Sequence, residues 1–474
     1  MGPPYNAGVA TPLYPSADIR RIEAAAAGAT PPLIERAGEA AADLAARIAA
    51  TDAKDVLVLA GPGDNGGDAR VAAKRLAERF FRVTVATRLE EIPPAKSWAL
   101  VVDGLFGIGL SRPVSGEYAR LVEYANQQRC AVLALDVPSG IDADTGAVRG
   151  MAVRATHTIT FIAMKPGLLM LAGPDHAGEV SVASLDVDAG ASVRPAAWIA
   201  TPELFSEALR RRPRSFHKGM AGTLGVLGGA PGTTGAALLA ARAALRLGAG
   251  RVRVGFLSDG YPPVDPLFAE LMLAHADEVL GMDLDAVVAG PGLGRSEAAE
   301  TLVGAVLASD MPCVLDADAL NLLAGSDALR GASERRKAET LVTPHPAEAA
   351  RLLAVSTAEV QADRIAAAKA IAARYNAHCV LKGNGSVIVA RDGHWFVNAS
   401  GNPGLGTAGT GDVLAGFLGA LVAQRYSGES AAVLGTHLHG CAADALVAQG
   451  IGPVGLTAGE LIDAARRTWN GWLR

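Results

Sequence analysis

The chain has 474 residues, enough for roughly two to four domains, and at 50% hydrophobic and 19% charged it can bury large cores. A formal net charge of -5 with no basic run excludes binding to nucleic acid or an anionic membrane driven by charge. The four cysteines, Cys130, Cys313, Cys379 and Cys441, are scattered and form no C-x-x-C pair, which argues against a zinc site or a disulfide scaffold and fits a reducing cytosol.

The opening stretch "MGPPYNAGVATPLYP" has neither the basic start nor the apolar core of a signal peptide. Apolar stretches are broken by Arg, Gly or Pro before they reach the roughly 18 residues of a membrane helix. A soluble, cytoplasmic protein is expected.

From residue 55 a rhythm begins. "DVLVLA" leads into "GPGDNGGD" and the helical "ARVAAKRLAERFF"; "VTVAT", "ALVVDGLFG" and "AVLALDVPSG" follow. These runs are continuously apolar rather than alternating, as in parallel strands covered on both faces. Between residues 186 and 219 the rhythm stops in a segment rich in Pro, Arg and Ser. It restarts with "TLGVLGG", "RVRVGF", "DAVVAGPGLG", "CVLDAD", "ETLVTPHPAE" and "CVLKGNG", separated by helical segments such as "TGAALLAARAALRLG" and "RIAAAKAIAARY". The expected architecture is α/β with two doubly wound domains, residues 1–200 and 201–474, the boundary falling near 195–212. Ligands then belong beyond the carboxyl ends of the strands, where the Gly- and Asp-rich loops lie.

In the first half, Gly61, Gly63 and Gly66 match G-x-G-x-x-G. A dehydrogenase also wants an acid at the end of the next strand. Here Thr87 and Arg88 stand there, and Glu90 and Glu91 come later, which weakens a hydride-transfer reading. Asp64, Asn65 and Asp68 suit a loop that coordinates as well as turns. Asp103 and Asp136 fall at strand ends, with Ser139 three residues beyond the latter. Oxygens from Asn65, Asp103 and Ser139 suit a hard, weakly charged cation. Asp142 and Asp144 fit turn or cap roles equally well.

These loops, with "THTITFIAMKPGLL" and the opening helices "ADIRRIEAAAAGATPPLIERAG", resemble the NAD(P)H-hydrate epimerase family over residues 16–190. The resemblance implies a Rossmann-like three-layer domain that interconverts the R and S hydrates of NADH and NADPH, with a potassium ion held by Asn65, Asp103 and Ser139. It places the hydrate on Asp64, Asn65, Gly66, Gly67 and Asp68, and on Gly107, Ile108, Gly109, Leu110, Ser111, Arg112 and Pro113. Asp136 is the expected acid/base, because epimerising a hydroxyl beside a ring nitrogen requires proton transfer at that oxygen. Two positions depart from the family pattern: Asp64 stands for an Asn and Ala69 for a Gly.

In the second half, "NPGLGTAGTGDVLAG" is a glycine loop running into a helix. Free N–H groups at a helix N-terminus form an anion site, and glycines admit a phosphate to the backbone. Asp412 at the loop end is then a base beside a transferring phosphoryl group. "KGNGS" lacks the P-loop order but can cradle phosphates. His345 and Glu348 enter a helix, the His fitting a cap as well as a ligand contact and the Glu placed to hold magnesium through water. Asp316 and Asp318 look structural, or supports for catalytic groups, rather than catalytic.

"AGTGD" alone would fit a sugar or vitamin kinase; "TPHPAE" together with "GPGLG" favours the ADP/ATP-dependent NAD(P)H-hydrate dehydratases of the ribokinase-like fold, which residues 213–470 resemble. The resemblance implies hydrate contacts at Ala236, Gly294, His345 and Asp412. It implies nucleotide contacts at Lys382, Gly383, Asn384, Gly385, Ser386 and Gly411, with Mg2+ and ADP or ATP as phosphoryl donor. The expected whole is a bifunctional repair enzyme acting on small molecules and assembling as a homo-oligomer. The alternatives are a ribokinase-fold small-molecule kinase fused to a nucleotide-binding domain, and a nucleotide-sensing fusion with an inactive N-terminal domain.

Overall fold

The computed structural model describes residues 10–49, 54–94, 96–209 and 211–473; the start of the opening stretch read for a signal peptide, residues 1–9, lies outside them. The chain divides into two compact units between Trp198 and Ile199.

The first unit holds six strands: β1 (Asp55–Ala60), β2 (Arg82–Ala86), β3 (Leu100–Gly104), β4 (Ala131–Leu135), β5 (His157–Phe161) and β6 (Glu179–Ala183), in the order β2-β1-β3-β4-β5-β6. All pairings are parallel. The central strands β1, β3 and β4 are buried on both faces, which is why they read as continuous apolar runs. Val56 and Val58 point into one core with the helices Leu33–Ile48 and Asp64–Glu78. Leu57 and Leu59 point into the other, with Leu121 and Val122 of the helix Gly116–Asn126. The chain order reverses at β1, whose neighbours are β2 and β3, so the loops after β1, β3 and β4 converge at a switch point.

The helix expected from Ala69 begins at Asp64. Part of the glycine loop is therefore its first turn. Methyl groups on Gly61 and Gly66 would overlap the Leu105 and Gly61 carbonyls, whereas nothing lies within 4 Å of one on Gly63. The outer glycines allow close backbone packing, and the middle one faces open space. Ala69 is fully buried, and its methyl occupies the space that Gly104 leaves on β3.

The second unit is built on a ten-stranded sheet of order β10-β9-β8-β11-β12-β13-β14-β15-β16-β7. Its strands are β7 (Ala197–Ile199), inside which the units divide, β8 (Thr223–Gly228), β9 (Arg251–Phe256), β10 (Met272–His275), β11 (Ala286–Ala289), β12 (Cys313–Leu315), β13 (Thr340–Val342), β14 (His378–Leu381), β15 (Ser386–Val389) and β16 (Trp395–Asn398). β8 to β14 pair in parallel; β14-β15-β16 are antiparallel. The order reverses at β8 and β11, again opening a crevice at the strand carboxyl ends.

The helix Thr410–Ala423 lies across this sheet with nearly every residue buried. The helix Thr234–Arg246 packs tightly on it, so that a methyl at Gly416 would overlap the Ala240 carbonyl. Among the described residues, one helix, Gly428–Ala448, is long and apolar enough to cross a membrane; most of it is buried within the unit as a core helix. Gly416→Ala is expected to destabilise the second unit by about 1–3 kcal/mol through overpacking, seen as a lower urea midpoint; an unchanged midpoint would contradict the close helix contact.

Candidate functional site

Each unit gathers its polar side chains at strand carboxyl ends. In the first, Asp103 ends β3 fully buried. Its Oδ1 accepts from Ser139 Oγ at 2.6 Å and its Oδ2 from the Ser139 amide at 2.8 Å. Burial pushes its carboxyl up to about 6 against those hydrogen bonds. Ser139 Oγ also accepts from the Phe106 amide at 2.8 Å. Beside this pair, Asn65 is buried, and neither its Nδ2 nor its Oδ1 finds a hydrogen-bond partner among the described residues.

Asp136 follows β4 with φ +63°, a left-handed backbone that turns its side chain toward the loop after β3. Its Oδ2 accepts from the Ile108 amide at 3.1 Å. A methyl on Gly107 would stand 2.8 Å from that oxygen and 3.4 Å from Asn65 Cγ, so the Asp136 and Asn65 side chains border the same glycine. Asp136 Oδ1 accepts from Lys165 Nζ at 2.6 Å. Lys165 is fully buried and donates also to Thr160 Oγ1 at 2.9 Å and the Phe161 carbonyl at 2.6 Å. All three of its N–H donors are used.

Sequence reasoning assigned Lys165 no role. The signal was a single charge inside the apolar run "TFIAMKPGLL". Asp68 is half-buried nearby and its carboxyl is pushed up to about 8, by burial first and then by the Asp136 and Asp64 charges. Glu23, on the helix Ser16–Ala25, is raised by burial and by Asp136 as well. Gly66 and Gly67 lie in the first turn beside Asn65. Gly109 and the residues Ser111, Arg112 and Pro113 are exposed, outside the hydrogen-bonded group, while Leu110 closes its loop onto the Gly107 carbonyl. Asp142 is a turn residue, accepting from the amides of Asp144 and Thr145.

In the second unit, Gly409 has φ +89° and turns the chain into the helix Thr410–Ala423. Asp412 stands in the first turn. Its carboxyl is pushed up to about 6, by burial first and by Asp316 second, against the Lys382 ammonium. His439, kept neutral by burial, holds the Thr410 carbonyl through Nε2 at 2.9 Å. Asp316, at the end of β12, accepts at Oδ1 from Lys382 Nζ at 2.8 Å and from Thr343 Oγ1 at 2.7 Å. Lys382 Nζ also stands 3.9 Å from Glu348 Oε2. The sequence offered Asp316, from the D-A-D at a strand end, as a structural or supporting residue, and here it holds Lys382.

His345 caps the helix Pro346–Leu353, accepting the Ala347 amide at Nδ1 while Glu348 Oε2 accepts the His345 amide. The Lys382–Ser386 turn closes through Ser386 Oγ, which accepts from the Gly383 amide at 3.2 Å. Arg364 is buried beneath it, against the Leu381 and Gly385 carbonyls. Asn384 is exposed. Gly294 donates its amide to Asp318 Oδ2 at 2.9 Å, on the flank of the group. Ala236 lies in the first turn of the helix Thr234–Arg246, one turn before Leu239, the residue that a methyl on Gly409 would meet.

Each unit thus presents a crevice at strand carboxyl ends: one with the buried Asp136–Lys165 pair, the other with the Asp412 carboxyl in the first turn of a helix that follows a glycine turn. The family model described as NAD(P)H-hydrate dehydratase matches residues 224–467, and that of the YjeF-related protein N-terminus matches residues 31–100 and 89–167. The bifunctional NAD(P)H-hydrate repair enzyme Nnr of Coxiella burnetii is 39% identical, over 96% of this chain and 99% of its own. The ADP-dependent (S)-NAD(P)H-hydrate dehydratase of Neisseria meningitidis is 45% identical over 57% of this chain and 90% of its own. The crystal structure of the ADP/ATP-dependent NAD(P)H-hydrate dehydratase of Bacillus subtilis, co-crystallised with ATP/Mg2+, aligns with TM-score 0.52 and 31% identity, covering 58% of this chain and 98% of that one. The chain belongs to the bifunctional NAD(P)H-hydrate repair enzyme family.

Removing Lys165 would leave the Asp136 carboxylate buried without its counter-ion. Lys165→Met is expected to destabilise the first unit by about 3–5 kcal/mol, and Lys165→Met with Asp136→Asn by less, as urea unfolding would show. Equal losses in the two would mean that the pair is not coupled.

Proposed function

We propose that the chain repairs hydrated NADH and NADPH: the first unit interconverts the R and S hydrates, and the second dehydrates the S hydrate at the expense of ADP or ATP. The observation that supports this most directly is Asp412, a base raised toward neutrality, set behind Gly409–Gly411 in the first turn of a helix and beside the Lys382–Asp316 pair.

The chemistry follows from the substrate. The hydrate carries a hydroxyl where the ring double bond belongs, and hydroxide is a poor leaving group. Conjugation of the ring nitrogen with the carboxamide leaves it little push. Asp412 accepts the hydroxyl proton as that oxygen bonds to the terminal phosphorus of the nucleotide. The helix amides stabilise the phosphoryl charge, and the bond to the leaving nucleotide breaks. Loss of phosphate, with a proton from the neighbouring carbon, restores the dihydronicotinamide. Magnesium would accompany the nucleotide phosphates and supply positive charge there, and Glu348 is the carboxylate that would help to hold it.

In the first unit Asp136 is the acid/base, oriented by the Lys165 ammonium at 2.6 Å. Asn65, Asp103 and Ser139 fit a potassium ion: the buried Asn65 Oδ1 lacks a partner, and Asp103 and Ser139 offer further oxygens. The ion would supply positive charge beside the Asp103 carboxylate.

Four outcomes are expected. Asp412→Ala abolishes dehydration while ADP still binds by calorimetry; normal turnover would overturn its role. In the wild type, kcat/KM for dehydration falls as pH drops through about 6, since the base must be ionised; a flat profile from pH 5 to 8 would contradict this. Asp136→Ala stops epimerisation but leaves dehydration of the S hydrate, and replacing K+ by tetramethylammonium at equal ionic strength slows epimerisation in the wild type but not in Asn65→Leu.

A further inference from the structure

Gly411 stands in the helix Thr410–Ala423 without a backbone reason for being glycine. Unlike Gly409, it is not among the residues with positive φ. Nor does packing demand it: a methyl there would lie 3.5 Å from Lys382 Nζ and 4.0 Å from Asp316 Oδ2, ordinary contact distances. Glycine is unfavourable in helices. What its absent side chain provides is space between the N–H groups of the helix start and the Lys382 ammonium.

The Lys382 ammonium is held but not saturated. Asp316 Oδ1 takes one N–H at 2.8 Å. Glu348 Oε2, at 3.9 Å, is beyond hydrogen-bond reach. Among the described residues, no other acceptor claims the remaining donors. Lys165 in the first unit is the useful contrast, since all three of its donors are taken within the protein. Asp316 is itself fixed by Thr343 Oγ1 at 2.7 Å, so the direction of the ammonium is fixed too. The backbone of Lys382 belongs to the turn expected to hold the nucleotide, but its side chain folds back from that turn to Gly411.

We propose that Lys382 is a catalytic residue of the phosphoryl transfer, its ammonium binding the oxygens of the transferring group opposite the Gly409–Gly411 amides, and that Asp316 is its positioning residue. This rests on the dehydratase activity proposed above. As the hydrate oxygen bonds to phosphorus and its proton passes to Asp412, the bond to the leaving nucleotide breaks. Lys382 keeps its proton throughout and donates hydrogen bonds to the equatorial oxygens.

The test uses the full chain with Lys382→Met and, separately, Asp316→Asn. Two quantities are read: kcat at saturating ADP and magnesium with the S hydrate, and the affinity for AMP by calorimetry, since AMP lacks the group to be transferred. For Lys382→Met, kcat is expected to fall about 10²–10³-fold, as for other preorganised charge-stabilising donors, with AMP affinity nearly unchanged. A kcat close to wild type, with AMP affinity lost, would overturn the assignment and leave Lys382 a nucleotide contact only. Should Lys382→Met bind no AMP, Asp316→Asn decides: a kcat lowered about tenfold or more with AMP bound supports the proposal, and an unchanged kcat overturns it. A wild-type chain that consumes no S hydrate with ADP or ATP would instead overturn the dehydratase activity itself, and this proposal with it.

Discussion

A parallel sheet covered on both faces leaves its polar groups one place to go. Side chains within the strands face apolar cores, so charges collect where the backbone emerges at the carboxyl ends. A charge buried there must be matched on the spot, because removing one partner of a buried pair costs several kcal/mol. Both units meet this constraint with a lysine and an aspartate: Lys165 with Asp136 in the first, Lys382 with Asp316 in the second. The rest of each site is arranged around its pair. Thr160 and the Phe161 carbonyl complete the shell of one lysine, and Thr343 steadies the aspartate that holds the other.

Much of this was legible because parallel strands buried on both faces write themselves as apolar runs ended by Gly and Asp. β1, β3, β4, β8, β9, β11, β12 and β14 could be read in this way, and the loops behind β3, β4 and β12 held Asp103, Asp136 and Asp316. β15 and β16 could not. They form the antiparallel edge of the second sheet, in four-residue strands that polar turns interrupt. β5 and β6 were hidden too: "HTITF" carries two buried threonines, and β6 is an edge strand with an exposed face. Among site residues, Asp412 was legible through its glycines and Asp136 through its strand end. Lys165 was not, because a lysine in an apolar run acquires meaning only when the fold shows which carboxylate it meets. Ala69 read as a departure from the family pattern; the missing Cβ of Gly104 makes room for it, a compensation between residues 35 positions apart that no local pattern displays.

The difference between the two lysines matches the difference between the two reactions. Moving a proton at one oxygen of a bound hydrate asks a carboxylate to be oriented, and a fully saturated ammonium behind it does that without touching the ligand. Transferring a phosphoryl group asks for charge-stabilising donors in contact with the migrating oxygens, and an ammonium with donors to spare can be one of them. The two activities also need one another. Hydration of a prochiral ring carbon without a template yields both epimers, whereas a crevice that aligns one hydroxyl with Asp412 and a nucleotide accepts a single hand. A chain that only dehydrated would leave the R hydrate to its slow spontaneous inversion. An epimerising unit on the same chain turns that residue of damage into substrate.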